Sequence, residues 1–436
     1  MTRLAFLLAA AALLVAALRL PAPPLPDPPS GGTFLVDEYR LGQARFVGCP
    51  WALSDGRRSS SYLVATEGAG GFDISFPEGG EVRDTLSGDA IEGIGVARID
   101  NPREVGISSA MVEFAQSEGA VGVVAFGEGL LAGDLCTASL PATWHLPGGS
   151  TLQGEELTLR LFNPFTTDAR VDLWALSELG TEASESLEAL TIPAGRTRVV
   201  SLEGILAGRE SLATIVRPTL GSVIPVMELD TGTDTAVWPG TGSSEGWEFP
   251  VAGVEGLETS LVLTNEASLE VNFVVELFDD EASVLAPLSG TIEGPGQVRI
   301  GLGGLPTPAF GIRVTGDGPF GAAVVGRSST AIAATTGTPI NASAWLLLGP
   351  GTVPSDSRFR LLNAGVVDLE VTYTALTASG EELPNSVTVS AGSVETVVVA
   401  DPDVLGVRVV GSGPFSAGWW EEAQGSMMFA GGVPVG

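Results

Sequence analysis

The chain of 436 residues carries 21 basic residues, all of them arginine, against 52 acidic ones, and its formal net charge of −31 argues against a nucleic-acid partner because the phosphates would be repelled. Its length exceeds the roughly 100 to 150 residues of one ordinary core, which predicts several domains. The 58 glycines and 29 prolines, with many Val, Thr and Leu residues, predict short buried strands joined by tight turns and argue against a mainly helical protein.

The N-terminal 20 residues have the pattern of an export signal. Arg3 precedes an apolar run from Leu4 to Leu18, which is short for a membrane span of about 20 residues. No small-x-small cleavage site follows, so a cleaved signal peptide and an uncleaved anchor are both open. Residues 21–44 form a proline-rich spacer with extended geometry. We expect an extracytoplasmic protein, secreted or tethered to the outer face of the cytoplasmic membrane, whose only membrane contact is this anchor.

Three asparagines mark an internal repeat with a period of about 100 residues. Asn163, Asn265 and Asn363 each end an apolar alternating strand, and a second alternating strand follows each of them. The same register, carried backwards, places Thr66 at the equivalent position of a divergent first copy. Because the period is far above the 20 to 50 residues of solenoids and propeller blades, each copy should have its own core.

The repeat predicts an all-β fold of about four tandem immunoglobulin-like β-sandwich repeats after the N-terminal signal or anchor. The predicted units are 45–150, which is divergent and contains both cysteines, then 151–250, 251–350 and 351–436. Each unit contains an aromatic residue followed by a glycine-rich turn, which we interpret as its closing strand. These aromatic residues are Trp144, Trp238, Trp345 and Phe429. Short turns between such units predict an extended rod.

Three residues resemble fragments of hydrolase sites. Asp230 begins an Asp-Thr-Gly motif like that of pepsin-like proteases, but their chemistry needs two such aspartates and the chain has one. Ser244 lies in a Gly-x-Ser-x-Gly pattern that needs a strand-to-helix turn and a histidine, and the sole histidine, His145, lies in another unit. We therefore predict no catalytic residues and no enzymatic activity. A secreted hydrolase directed at glycans or peptides, with an unrecognised site, is the alternative.

Cys49 and Cys136 are the only cysteines, and with one histidine they cannot build a tetrahedral zinc site. In an exported chain they predict a disulfide, with two separate buried thiols as the alternative. Acidic clusters such as Asp279-Asp-Glu281 offer carboxylates to calcium but lack the spacing of known calcium loops, so we interpret them as solvated turns. The sequence predicts no metal site and no cofactor.

Trp419 and Trp420 are adjacent in a predicted strand of the last unit. Successive strand residues face opposite sides, so we expect one ring in the core and the other on the surface. The exposed ring would be a possible ligand-contact aromatic for a carbohydrate. An ordinary edge or interdomain contact is the alternative.

The segments Cys49-Pro-Trp51, Ala142-Thr-Trp144-His-Leu-Pro-Gly-Gly149 and Leu161-Phe-Asn-Pro164 resemble an uncharacterised family of exported actinobacterial proteins, domain of unknown function 5719. The resemblance implies export and β-rich repeats, and it brings no assigned activity or site residues. Together these observations predict an exported, non-enzymatic scaffold or binding protein of the bacterial cell envelope. Its expected partner is a cell-envelope protein or a polysaccharide.

Export is testable by cell fractionation combined with N-terminal sequencing. We expect the protein outside the cytoplasm, either with a new N-terminus after the apolar run or retained in the membrane with the run intact. A mature chain recovered from the cytosol with Met1 in place would contradict the prediction.

Overall fold

The computed structural model describes residues 46–54, 58–68, 70–78, 81–91, 94–102, 106–115, 118–127, 130–282, 285–303, 309–339, 342–349 and 356–435. The signal or anchor at residues 1–20 and the spacer at 21–44 lie outside the described residues. No helix within the described ranges is long and apolar enough to cross a membrane. Their only helical element is one 3-10 turn, Glu185–Leu187, and the rest is strand, turn or irregular chain.

The strands group into four units in chain order. Unit 1 contains β1 (Phe46–Cys49), β2 (Leu53–Ser54), β3 (Arg58–Glu67), β4 (Gly70–Glu78), β5 (Glu81–Ile91), β6 (Gly95–Asp100), β7 (Gly106–Ile107), β8 (Ala110–Phe114), β9 (Glu118–Gly127) and β10 (Leu130–Leu135). Unit 2 contains β11 (Trp144–Gly149), β12 (Glu156–Asn163), β13 (Ala169–Ser177), β14 (Gly180–Glu182), β15 (Leu190–Ile192), β16 (Arg196–Ser201), β17 (Leu212–Leu220), β18 (Ile224–Asp230) and β19 (Thr235–Pro239).

The C-terminal half continues in the same way. Unit 3 contains β20 (Ser244–Gly253), β21 (Glu258–Asn265), β22 (Val271–Asp279), β23 (Leu288–Ile292), β24 (Gly296–Gly301), β25 (Phe310–Arg327) and β26 (Ile332–Thr336). Unit 4 contains β27 (Ala342–Leu348), β28 (Asp356–Asn363), β29 (Leu369–Thr377), β30 (Gly380–Glu381), β31 (Asn385–Val389), β32 (Ser393–Val399), β33 (Val404–Ala423), β34 (Ser426–Gly431) and β35 (Val433–Pro434).

All four units share one sandwich topology, which confirms the predicted all-β fold class. In unit 2, one sheet has the order β11-β17-β13, with β14 and β15 at its edge, and the other has the order β16-β12-β18-β19. Unit 1 repeats this plan with β1-β8-β4-β5 and β10-β9-β3-β6. In units 3 and 4, the strands equivalent to β17 and β18 are fused into the long strands β25 and β33, each of which runs through both sheets.

The strand pairing places the unit boundaries several residues earlier than the sequence pattern suggests. β11, with Trp144, pairs with β17 of unit 2, and β27, with Trp345, pairs with β33 of unit 4. These two aromatic strands therefore open a unit, and their interpretation as closing strands is wrong. Trp238 in β19 and Phe429 in β34 do lie in closing strands. The sequence pattern does not distinguish opening from closing strands, because an opening tryptophan and a closing aromatic residue both precede glycine-rich turns.

The three repeat asparagines have one structural role. Each is buried, and its Nδ2 donates to the carbonyl four residues later and to a carbonyl at the end of a neighbouring strand. Its Oδ1 accepts the backbone N–H two residues later. One amide side chain thus satisfies three backbone groups, of which some are buried and some partly buried, where the chain turns from the first strand to the second. The equivalent Thr66 of unit 1 is also fully buried but has a shorter side chain.

The four units close into a ring rather than extending as a rod. The opening strand of each unit packs on the second sheet of the next: β11 contacts β21 and β25, β20 contacts β28 and β33, and β27 contacts β3 and β9. The last of these contacts joins unit 4 back to unit 1. Repeated head-to-tail packing closes a ring when the rotation per unit completes a circle, and here it closes after four units. The prediction of an extended rod is wrong because the linkers are too short to separate these apolar faces.

One register position lies in every seam, three residues before the repeat asparagine. Arg160 at the seam between units 1 and 2 binds Glu228, which also accepts a hydrogen bond from Trp51 of unit 1. Arg360 donates to the carbonyls of Gly253 and Phe310 in unit 3. The equivalents are Val262 and Leu63, and Leu63 packs in one cluster with the apolar residues of unit 4. The same register position therefore lies at each seam, but its side chain is an arginine in two units and an apolar residue in the other two.

The asparagine bonds predict a position-specific loss of stability. Asn363→Ala should lower the free energy of unfolding by about 1 to 3 kcal/mol, because it leaves buried backbone groups without partners. Urea unfolding of the full chain measures this change. The matched control is Asn385→Ala, at an exposed asparagine, which should change the unfolding free energy by less than about 0.5 kcal/mol. Equal unfolding midpoints for the two variants would contradict the role of Asn363.

Candidate functional site

The four closing strands, β10, β19, β26 and β34, meet along the axis of the ring, each touching two of the others. At their N-terminal ends lies a hydrogen-bonded hub. The Asp234 carboxylate of unit 2 accepts the Ser426 hydroxyl of unit 4 at 2.5 Å and the Ile332 N–H of unit 3 at 2.9 Å. The Ser426 hydroxyl in turn accepts the Leu131 N–H of unit 1 at 2.7 Å. Two side chains thus link all four units.

At the opposite ends of the same strands, a cavity of about 540 Å³ opens on the axis. Its wall combines residues from all four units, mainly the segments through which the chain leaves each closing strand. These segments are 134–139, Pro239 with Thr241, 335–339 and 430–435. The lining is mostly apolar, with Phe249, Pro250 and Val251 from β20 completing one side. A ligand in this cavity would contact a surface that exists only in the closed ring.

Asp134 is a buried ionisable residue in the wall of this cavity. It lies near the end of β10 and is 9% exposed, and its Oδ1 accepts the N–H of Leu135 at 2.7 Å. Its Oδ2 is buried and has no surface open to the cavity. Burial raises the pKa of this carboxyl to about 8, although the Leu135 N–H, the Thr335 hydroxyl and the Gly431 backbone act in the other direction.

Among the described residues, those that line the cavity include acidic groups and no arginine. Glu118 is exposed at one side. Glu248 is 8% exposed and its Oε1 accepts a hydrogen bond from Nε of Arg313, which lies outside the wall, at 3.0 Å. The sole histidine, His145, does not line the cavity either. Among the side chains that line the cavity, the charged ones are therefore all carboxyl groups, and this makes the wall unfavourable for anions.

The disulfide predicted from the sequence is present and borders the cavity. Cys49 in β1 is bonded to Cys136, one residue after β10, and Cys136 lines the cavity. The adjacent residues, Gly48 and Thr137, form a backbone bridge that recurs as His145 with Thr241 and as Glu248 with Thr338. In units 1, 2 and 3, a backbone bridge thus joins the opening strand to the segment that follows the closing strand. In unit 1 the disulfide reinforces this connection.

The residues that resembled hydrolase fragments have structural partners instead. His145 is fully buried at the seam of units 2 and 3, where its Nδ1 lies 2.9 Å from the Thr264 hydroxyl. Burial lowers its pKa to about 4, against a smaller opposing effect of Glu266. Asp230 forms an ion pair with Arg58 of unit 1 at 3.6 Å. The Ser244 hydroxyl accepts the N–H of Gly246 at the start of β20.

Both tryptophans proposed as ligand contacts are buried. Trp419 is 0% exposed and stacks on Phe359 in the core of unit 4. Trp420 is 4% exposed and packs with Val251 and Phe429, where units 3 and 4 meet, under the guanidinium of Arg358. The expectation that one ring faces solvent is wrong, because ring closure covers the outer face of the strand. The alternative, an interdomain contact, describes Trp420.

Asp134 was not singled out by the sequence reasoning. Its signal was weak but present: one carboxylate in Leu130-Leu-Ala-Gly-Asp-Leu135, a run otherwise composed of apolar residues and glycine. A charged residue in such a run is commonly a strand end exposed to solvent. Only the convergence of the four closing strands makes this strand end an internal position. The described residues contain no group of three or more His, Cys, Asp or Glu side chains placed to hold a metal ion.

The chain matches a known protein family. Residues 109–402, about two thirds of the chain, match the family of unknown function DUF5719. This range begins one residue before β8 of unit 1 and ends just before β33 of unit 4, so it covers units 2 and 3 completely. No curated protein matches the chain.

The raised pKa of Asp134 predicts that stability falls as the pH rises from 6 to 8. The unfolded carboxyl is ionised throughout this window, whereas the folded one holds a proton below its pKa near 8, so unfolding releases a proton. The free energy of unfolding should therefore decrease by about 1 to 2 kcal/mol across the window. Asp134→Asn should abolish most of this decrease, as measured by urea unfolding at both pH values.

The control for this measurement is Asp317→Asn. Asp317 is exposed, and its hydrogen bonds with Asn272 hold the pKa of its carboxyl below the usual value, so it is ionised throughout the window. Its removal should leave the pH dependence unchanged. His145 does not titrate there either, because its pKa is near 4. A wild-type stability that is flat or rising between pH 6 and 8 would refute the assignment.

Proposed function

This chain belongs to the DUF5719 family, a family of unknown function, and we propose that it is an extracytoplasmic, non-enzymatic binding protein that takes a ligand of the cell envelope into the axial cavity of its four-unit ring. The observation that carries the proposal is the cavity of about 540 Å³, whose wall is assembled from all four units and includes the buried carboxyl of Asp134. Its volume falls within the range of about 300 to 1,000 Å³ that is usual for small-molecule sites.

The composition of the wall also supports binding. Small-molecule sites are commonly apolar surfaces with a few convergent polar groups that fix orientation. Here Val433 and Val435 of unit 4 add to the apolar side from β20, while Thr241 and Thr336 supply hydroxyl groups. A cavity between four rigid sandwiches is also preformed, which reduces the ordering cost on binding.

The hydrolase alternative finds less support. General-base catalysis at neutral pH needs a group whose pKa lies near the working pH and which reaches the substrate. His145 is fully buried in a seam and its pKa is near 4. Asp134 has a pKa near 8, but its Oδ2 has no surface open to the cavity through which to reach a substrate. Binding requires none of these groups to react.

The proposed extracytoplasmic location rests on the apolar N-terminal run and on the disulfide, since such bonds persist mainly in oxidising compartments. The partner class remains a cell-envelope component, either a fragment of a polysaccharide or a segment of an envelope protein small enough for the cavity. Larger partners would bind with one group in the cavity and the remainder outside its mouth.

A cavity-filling variant tests this proposal. Gly431 lines the cavity, and a Cβ added there would meet only a methyl group of Leu135, at 3.8 Å. Gly431→Phe should therefore fill the space without disturbing the strands. Wild-type protein incubated with fractionated cell-envelope extract should gain a defined ligand mass in native mass spectrometry, and the variant should lose it.

The matched control is Gly301→Phe, at an exposed glycine of β24 where an added Cβ would meet no atom within 4 Å. It should retain the ligand as the wild type does. Ligand retained by Gly431→Phe would place the binding site elsewhere. The absence of any bound species across all envelope fractions would count against a small-ligand function.

A further inference from the structure

We infer that the axial cavity takes an uncharged ligand rich in hydroxyl groups, the chemistry of a neutral sugar at the end of an envelope glycan, and that threonine hydroxyls from different units bind it. This inference rests on the proposed function and adds the chemical class of the ligand. Three observations carry it: a threonine position that recurs around the axis, hydroxyl groups that are open to the cavity, and buried carboxylates that a ligand does not reach.

One position of the cavity wall recurs in all four units, two residues after the closing strand ends. In units 1, 2 and 3 this residue forms the backbone bridge to the opening strand, and both its N–H and its C=O are used there. In unit 4 the equivalent residue pairs with Leu346 of β27. All four line the cavity: Thr137, Thr241, Thr338 and Val433. Because their backbone groups are paired, these residues can meet a ligand only through their side chains.

The fold does not require a hydroxyl group at this position. Val433 keeps the pairing to the opening strand with a side chain that has the shape of threonine and no polar atom. The other three units carry threonine there, so hydroxyl groups from three units surround the axis on one level of the wall. The difference between Val433 and the threonines therefore concerns what the cavity can bind rather than how the strands pair.

Some of the wall hydroxyls are available to a ligand. Thr241 and Thr336 are partly exposed, and their hydroxyl groups make no hydrogen bond with any residue that the structure describes. The Thr137 hydroxyl lies 3.1 Å from that of Ser139, which also lines the cavity. A hydroxyl group both donates and accepts, so these side chains match the hydroxyl groups of a ligand in either direction.

The charged groups of the wall offer little to a charged ligand. The Oδ1 of Asp134 accepts the Leu135 N–H, and its Oδ2 has no surface open to the cavity. The Oε2 of Glu248 is equally enclosed, and its Oε1 accepts from Arg313. Glu118 is exposed to solvent at one side, where an ion pair contributes little. A charged ligand would lose hydration here without gaining a strong partner, whereas an uncharged one loses less.

The apolar part of the wall lies between these hydroxyl groups. Leu135, Pro239 and Pro434 come from three units, are partly exposed and line the cavity. A sugar ring has apolar C–H faces and hydroxyl groups at its edge, so it can pack against such side chains while its edge reaches the threonines. The wall thus has the combination of apolar surface and few convergent polar groups that fixes a ligand's orientation.

The experiment separates envelope oligosaccharides by charge. Envelope glycans are partially hydrolysed and divided by ion exchange into neutral, anionic and cationic pools, and each pool is incubated with the full chain for native mass spectrometry. We expect bound masses from the neutral pool, equal to sums of neutral sugar residues. The affinity of the purified ligand, measured by titration calorimetry, should be unchanged between about 0.05 and 0.5 M salt, because no charge contact is screened.

Two variants at the recurring position test the role of the hydroxyl groups. Thr241→Val should weaken binding about three- to tenfold, and Val433→Thr should strengthen it by a similar factor, since each changes one hydrogen bond to the ligand. Val433 already shows that the position accepts either shape, and circular dichroism verifies folding. The matched control is Thr166→Val, at an exposed threonine outside the cavity wall, which should leave the affinity unchanged.

The outcomes distinguish this inference from the proposed function. If charged oligosaccharides bind in preference to neutral ones and are lost in Gly431→Phe, the inference is overturned while the cavity remains a binding site. A neutral ligand whose affinity is the same in the wild type, Thr241→Val and Val433→Thr also overturns it. If no pool yields a bound mass, both proposals fail together.

Discussion

The ring depends on the hydrogen bonds that Asp234 and Ser426 make at its axis. A carboxylate accepting from units 3 and 4, and a hydroxyl accepting from unit 1, join four sandwiches at one point. Asp234 is 2% exposed, and burial raises the pKa of its carboxyl to about 6 against the effect of these donors. A buried carboxyl is tolerated when its lone pairs are satisfied, and its directional bonds fix how the four closing strands align. Their alignment in turn determines where the cavity opens.

Ring closure also requires units 4 and 1, which are not adjacent in sequence, to pack against each other. Units 1 and 4 are held together by the bidentate pair of Arg408 with Glu67, by the bond from Leu131 to Ser426, and by the shared cluster around Leu63 and Leu348. The partly exposed ion pair contributes modestly, so the apolar cluster carries most of the stabilisation. Close backbone approach occurs at the other seams too: an added Cβ at Gly321 would lie 2.4 Å from Cβ of His145. Packing this close leaves little room for one unit to shift relative to the next.

The sequence predicted the features that recur within each unit, and it missed those that arise only when the units pack into a ring. The register of Asn163, Asn265 and Asn363 is visible because every copy must satisfy the same turn, and the pairing of two cysteines follows from their number. The unit boundaries, by contrast, depend on which strand accepts Trp144 and Trp345, and pairing partners about 70 residues away leave no local pattern. The seam position reads Leu63, Arg160, Val262 and Arg360, so no common residue type marks it as an interface. For the same reason, one ring of the Trp419 and Trp420 pair was expected at the surface, and Asp134 was not singled out.

The two axial aspartates therefore show how a repeat protein acquires a site that no single unit possesses. Asp234 satisfies both carboxylate oxygens with donors from units 3 and 4, and Asp134, at the other end of the same strands, is buried beside the Thr335 hydroxyl of unit 3 and the Gly431 backbone of unit 4. Asparagine at position 134 would avoid the ionisation cost, and alanine would avoid burying a polar group, so folding alone favours neither the charge nor its location. Both carboxyl groups lie at the ends of closing strands, where an isolated unit would expose them to solvent, and both are buried because the four closing strands meet. Ring closure thus raises the pKa of each by removing water from around it.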